Sequence, residues 1–125
     1  MCGSISFELV VNDGKIYQCH CSKCRKVSGS ASNSAMVIDR SRFRWIGGES
    51  DIQQFVQASG FQSWFCPTCG SPVPNLTSGD KSYWIPMGLV EGNVDARIVK
   101  HVFVESKANW EVIPDGIPKF DDNGG

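Results

Sequence analysis

The six cysteines fall into three groups: Cys2, then Cys19, Cys21 and Cys24 in QCHCSKC, then Cys66 and Cys69 in FCPTCG. C-x-C and C-x-x-C each put two sulfurs on one tight turn. Tetrahedral zinc takes such short pairs from distant parts of a chain, with Zn–S bonds of about 2.3 Å. In FCPTCG, Pro67 stiffens the turn and Gly70 lets the backbone bend its N–H groups toward the sulfurs. This segment reads as half of a zinc knuckle, and metal binding is the use of the cysteines that the spacing favours. Other uses fit less well. Disulfides need an oxidising compartment, and MCGSISFE has neither the basic segment nor the apolar run of a secretion signal. A redox C-x-x-C calls for a βαβ context that is missing here. A thiol can pack as a small hydrophobe, but that suits Cys19 alone better than three cysteines within six positions.

With 125 residues, the chain is expected to form one domain, residues 1–125, with a single core. Its net charge of −1 offers no electrostatic footprint for nucleic acid or an anionic membrane. No stretch approaches the roughly 20 apolar residues of a membrane span. A soluble, cytoplasmic protein is the expectation.

The hydropathy pattern is mostly of period two. In SISFELVV, Ile5, Phe7 and Leu9 alternate with Ser4, Ser6 and Glu8, as in a half-buried strand. Asn12-Asp13-Gly14 offers turn chemistry, and KIYQCH is expected to return as the second strand of a hairpin. That hairpin would bring Cys2 near Cys19. SKCRKVSG predicts a short helix with Ser22 as N-cap, Cys24 in the first turn and Gly29 as the stop. Strands are predicted in SAMVIDR, RFRWIGG, DIQQFVQ, FQSWFC and SYWIPMGLV, where Pro86 argues for an edge or a bulge. A last strand, RIVKHVFVES, would put Ile98, Lys100, Val102 and Val104 on one face and Val99, His101 and Phe103 on the other. The tail PDGIPKFDDNGG is turn-rich and expected to pack loosely. About eight short strands with one or two short helices make a mostly-β fold.

The runs CHCSKCRKVSGS, RFRWIGGES, FCPTCGSPV, HVFVESKANW and DGIPKF together resemble the CENP-V/GFA domain family. This is the family of glutathione-dependent formaldehyde-activating enzymes. The resemblance covers almost the whole chain, in the family's order. It implies an Mss4-like fold, a β-tent of short antiparallel sheets holding zinc. It also implies a structural zinc held by Cys2, Cys66 and Cys69, and a second, catalytic zinc held by Cys19, Cys21 and Cys24. The family's N-terminal C-x-C-G has a further cysteine two positions before Cys2, where this sequence begins at Met1. As written, the structural site is one thiolate short. Its vacancy is expected to be filled by water, by a cysteine of the middle group or by the N-terminus.

A three-thiolate site leaves a fourth position open for substrate. The activity implied by the resemblance is that of a carbon–sulfur lyase: glutathione adds to formaldehyde to give S-hydroxymethylglutathione, or a related thiol adduct forms. Three thiolates put a formal −1 on the zinc complex, which weakens it as a Lewis acid, so metal binding is the firmer expectation. His20, between two ligands, is either an oriented supporting histidine or a general acid–base. His101 reads as structural. Lys23, Arg25 and Lys26 could receive the carboxylates of glutathione or form a solvated patch. Glu105 and Ser106 could face a pocket, and Ser28-Gly29 could offer backbone donors. Trp45, Trp64, Trp84 and Trp110 read as core or pocket walls, with Trp64 and Phe65 shielding the knuckle. The alternative is a non-catalytic zinc module that uses an Mss4-like scaffold for protein contacts. Methionine sulfoxide reduction would need a late catalytic cysteine, and none follows Cys69.

Overall fold

Alternation of apolar side chains on β3 (Asn33–Asp39) and β9 (Ser82–Pro86) builds the centre of the molecule. The computed structural model describes residues 1–125. The two strands run antiparallel, with Met36 opposite Ile85 and Ile38 opposite Tyr83, so four apolar side chains meet in cross-strand pairs. Met36, Ile38 and Ile85 are fully buried, and Trp64, Val73 and Tyr83 complete the cluster.

Around this pair the five-stranded sheet has the order β10-β2-β3-β9-β8, with β2 at Lys15–Cys19, β8 at Asn75–Leu76 and β10 at Arg97–Val102. A second sheet pairs β1 (Ser6–Leu9) with β4 (Phe43–Gly47). A third has the order β5-β6-β7, with β5 at Gln53–Val56, β6 at Gln62–Phe65 and β7 at Pro72–Val73. All pairings are antiparallel except β10 with β2. Aromatic contacts join the second sheet to the first. Phe43 stacks on Tyr83 at 4.0 Å between centroids and meets Trp45 edge-on at 4.8 Å, while the Trp45 indole N–H donates to the Tyr83 hydroxyl at 3.2 Å.

The mostly-β architecture of short antiparallel sheets with one α-helix agrees with the expectation. The first hairpin does not form, because β1 pairs with β4 and β2 lies between β3 and β10. Asn12-Asp13-Gly14 closes on itself instead. The Asp13 N–H donates to Asn12 Oδ1 and the Lys15 N–H to Asp13 Oδ1, so side chains satisfy donors that a hairpin ladder would have used. Gly14, at φ +66°, then runs against Asp95, and its carbonyl accepts from the Arg97 N–H at 2.9 Å. Cys2 is therefore not carried to Cys19 by a hairpin.

Strand β10 also departs from simple alternation. Its register with β2 shifts between Ile98 and Lys100, which puts Val99 in a bulge and leaves His101 and Val102 both buried. Phe103 adopts φ +55° and ends the strand, and Val104–Ser106 form a turn of 3-10 helix. The tail is pinned rather than loose. His101 N–H donates to Pro118 O and Phe120 N–H to His101 O, both at 2.9 Å, and the N–H groups of Val104 and Phe103 reach Phe120 O and Asp122 O at 3.0 Å. It pairs with the outer edge of β10, because that edge would otherwise carry unpaired backbone donors and acceptors. No helix is long and apolar enough to cross a membrane.

Ile38→Ala empties a fully enclosed site on the central strand. It is expected to cost about 2–5 kcal/mol in chemical denaturation. Phe55→Ala, on a β5 side chain that is 53% exposed, should cost about 0.5 kcal/mol or less.

Candidate metal centres

The six cysteines are free thiols that gather into two trios, and in each trio the sulfurs lie within 4.8 Å of one another. Cys2 joins Cys66 and Cys69, while Cys19, Cys21 and Cys24 form the other group.

The first trio is built on the turn between β6 and β7. Cys66 follows the last residue of β6, its N–H donates to Ser71 O at 2.9 Å, and the Gly70 N–H closes back on Cys66 O at 2.8 Å. Gly70 takes φ +76°, a conformation a side chain would strain, so the close turn suits the glycine. Cys2 Sγ stands 3.8 Å from Cys66 Sγ. Two sulfurs on one tetrahedral ion with 2.3 Å bonds stand about 3.8 Å apart, so this spacing fits zinc. The Ser4 hydroxyl and backbone N–H hold the Cys2 thiol down to about 6, and the Ser71 N–H lowers that of Cys69. Groups poised as thiolates are the form that metal requires.

The middle trio lies between β2 and the helix α1 (Ser22–Ser28). Cys19 is the last residue of β2, where it pairs with Asn33 and Val102. The helix is capped by Cys21, not by Ser22: Cys21 Sγ accepts from the Cys24 N–H at 3.3 Å. A sulfur takes the place of a capping hydroxyl because the C-x-x-C turn already aims it at that amide. Gly29 ends the helix in the left-handed conformation, as expected. The Cys24 thiol donates to Cys19, which brings Cys19 down to about 6, while that bond, with burial, drives Cys24 far upward. Three sulfurs this close share protons in the absence of a cation, and a divalent ion would allow all three to ionise. The donor set therefore fits a soft or borderline ion such as zinc.

A cavity of about 500 Å³ opens on this trio. Its walls include Phe61, Trp64, Trp84 and Phe103, and its polar groups include the amides of Asn33 and Asn75. Lys23 lines it, donating to Ser59 Oγ at 2.9 Å and lying 5.6 Å from the Phe61 ring centre. Arg25 and Lys26 stand outside the lining, because successive helix residues point to different sides. Ser106 and Ser28 line the cavity and Glu105 does not; the Ser28 hydroxyl donates to Cys24 O at 2.8 Å. Trp64 belongs to the main core and this cavity wall, whereas Trp110 is 70% exposed, outside any strand. A larger groove of about 950 Å³ runs past Cys2 and Cys66.

His20 is 0% exposed and does not line the cavity, so its place is that of a supporting histidine. Its Nδ1 lies 2.9 Å from Glu111 Oε2 and its Nε2 3.0 Å from His101 Nδ1. Burial lowers the pKa of His101, and the neighbouring His20 adds to the effect. Sequence reasoning missed Glu111, which is 91 residues from His20 and carries no local motif.

A β-tent of short sheets carrying two thiol trios, each of which could hold a metal ion, defines the class of protein. The sequence profile of the glutathione-dependent formaldehyde-activating enzyme (GFA) family matches residues 1–106, and the protein belongs to that family. No curated protein sequence matches the chain. The crystal structure of a Rhodobacter sphaeroides protein is similar, with a TM-score of 0.62 and 22% identity over 75% of this chain and 86% of that one. That likeness shows the fold.

In the reduced, metal-free protein at pH 7, alkylation followed by mass spectrometry should label Cys2 early and Cys24 last. Cys2 is exposed with a pKa near 6, whereas Cys24 is buried and held protonated. Labelling of Cys2 should slow as the pH falls below about 6, where its thiolate is lost.

Proposed function

We propose that the protein is a zinc-dependent carbon–sulfur lyase acting on thiol–aldehyde adducts, with glutathione and formaldehyde as the candidate pair. The observation that carries this reading is the position of Cys19, Cys21 and Cys24 in the wall of an apolar cavity that also presents one ammonium and several amides. Ligand sites of small molecules have this composition. In this reading the Cys2, Cys66 and Cys69 ion is structural and residues 1–125 form one domain. Six free cysteines suit a reducing compartment, which supports a cytoplasmic location.

Zinc bound by the middle trio would supply a fourth coordination position that stabilises a thiolate or polarises a carbonyl at neutral pH. The chain's own residues do the rest. Lys23 offers its ammonium to a substrate carboxylate, Asn33 and Asn75 offer amide donors and acceptors, and Phe61 and Trp84 keep water away. In the reaction, the thiolate sulfur forms a bond to the aldehyde carbon. The carbonyl π pair moves to oxygen, which takes up a proton equivalent to the one the thiol released on ionising, to give the hydroxymethyl thioether.

Metal analysis of the protein purified under reducing conditions should find two zinc ions per chain, with Cys66→Ser losing one of them. Exchange spectroscopy by NMR on glutathione and formaldehyde should show faster interconversion with the adduct when the metallated protein is present. Cys21→Ser should return that exchange to the uncatalysed rate. No acceleration by fully metallated wild type would defeat the enzyme reading.

A further inference from the structure

Three polar side chains from distant parts of the chain meet behind the middle trio, and none of them lines the cavity. Glu111 Oε2, His20 Nδ1, His20 Nε2 and His101 Nδ1 form a continuous line with separations of 2.9 and 3.0 Å. A carboxylate only accepts, so His20 presents Nδ1–H to Glu111. With one proton per ring, His20 Nε2 then accepts from His101 Nδ1–H. The line ends at His101 Nε2, which is buried and has no partner. Beyond its bond to His101, the only side-chain bond that fixes the His20 ring is the one to Glu111.

We propose that Glu111 is a positioning residue for the middle trio: it locks the His20 ring and thereby holds Cys19 and Cys21 in the arrangement that receives the metal. This inference rests on the metal-binding reading of that trio. His20 lies between the two cysteines, so any rotation of its backbone moves both sulfurs. Its N–H donates to Val102 O at 3.0 Å, and its ring is fully enclosed. Turning the ring would leave the fully enclosed imidazole nitrogens of His20 without their partners, which is unfavourable where water cannot replace them. Glu111 is itself held firmly. Its N–H donates to Ala108 O at 3.1 Å, its carbonyl accepts from Lys107 Nζ at 3.1 Å, and Ala108 is buried beneath the turn. This turn follows directly on residues 1–106, the segment matched by the family model.

The two trios allow an internally controlled test by cadmium NMR on the whole protein. The resonance lost in Cys21→Ser belongs to the middle trio, and the one lost in Cys66→Ser belongs to the other. Glu111→Ala should shift the middle resonance and weaken cadmium affinity there by about ten-fold or more, as read by chelator competition. The Cys2, Cys66 and Cys69 resonance should stay in place, with its affinity unchanged within about two-fold, since no contact links it to Glu111. Glu111→Gln keeps an oxygen acceptor at the same reach and should recover most of the lost affinity. Equal weakening of both sites, or no change at the middle site, would overturn the proposal. A wild-type protein without any resonance that depends on Cys21 would defeat the metal reading as well. Nitrogen NMR of the wild-type His20 ring adds a measurement that needs no variant: the proton should sit on Nδ1, and a proton on Nε2 alone would overturn the clamp.

Discussion

Three thiols held within 4.8 Å of one another cannot all ionise without a compensating charge, and the fold is arranged to hold two such groups in place. The sheets bring Cys2 against the β6–β7 turn in one case. In the other they set the end of β2 against the first turn of α1. In the middle group the crowding is visible in the split between Cys19 and Cys24, one drawn down and the other driven up by a shared proton. A cation removes that conflict and turns crowding into coordination.

The two groups differ in what surrounds them. The first is tied to a glycine-closed turn, with one sulfur exposed on Cys2. The second is mostly buried, lies at a helix N-terminus and opens on a cavity with aromatic walls. This contrast in surroundings is what supports the proposed division between a bracing group and a substrate-facing one. Behind the second group, Glu111 and the two buried histidines make a polar connection whose geometry leaves little freedom to the Cys19–Cys21 segment. One face of that segment is therefore open to ligands while the other is clamped.

Much of this was legible in the residues. The cysteine spacing, the period-two alternation around Met36, Ile38, Tyr83 and Ile85, and the stop at Gly29 all follow from local chemistry that a short window contains. The β1–β2 hairpin was misread, because Asn12-Asp13-Gly14 is equally competent as a self-satisfied turn and as a hairpin loop. The Cys21 cap was hidden because a thiol is not among the usual capping groups. The tail looked loose because its partner, the outer edge of β10, exists only once the sheet has formed.

Sequence alone determined that the chain would be rich in short strands and would carry cysteine groups at metal-ligand spacing, since alternation and the reach of C-x-C and C-x-x-C depend on neighbouring residues. Tertiary structure decided which strands pair, and in particular the parallel contact of β10 with β2. It also decided that Cys2 joins Cys66 and that Glu111 reaches His20, although 64 and 91 residues separate these pairs. Contacts across such separations depend on the sum of packing over the whole chain, and no local pattern encodes that sum.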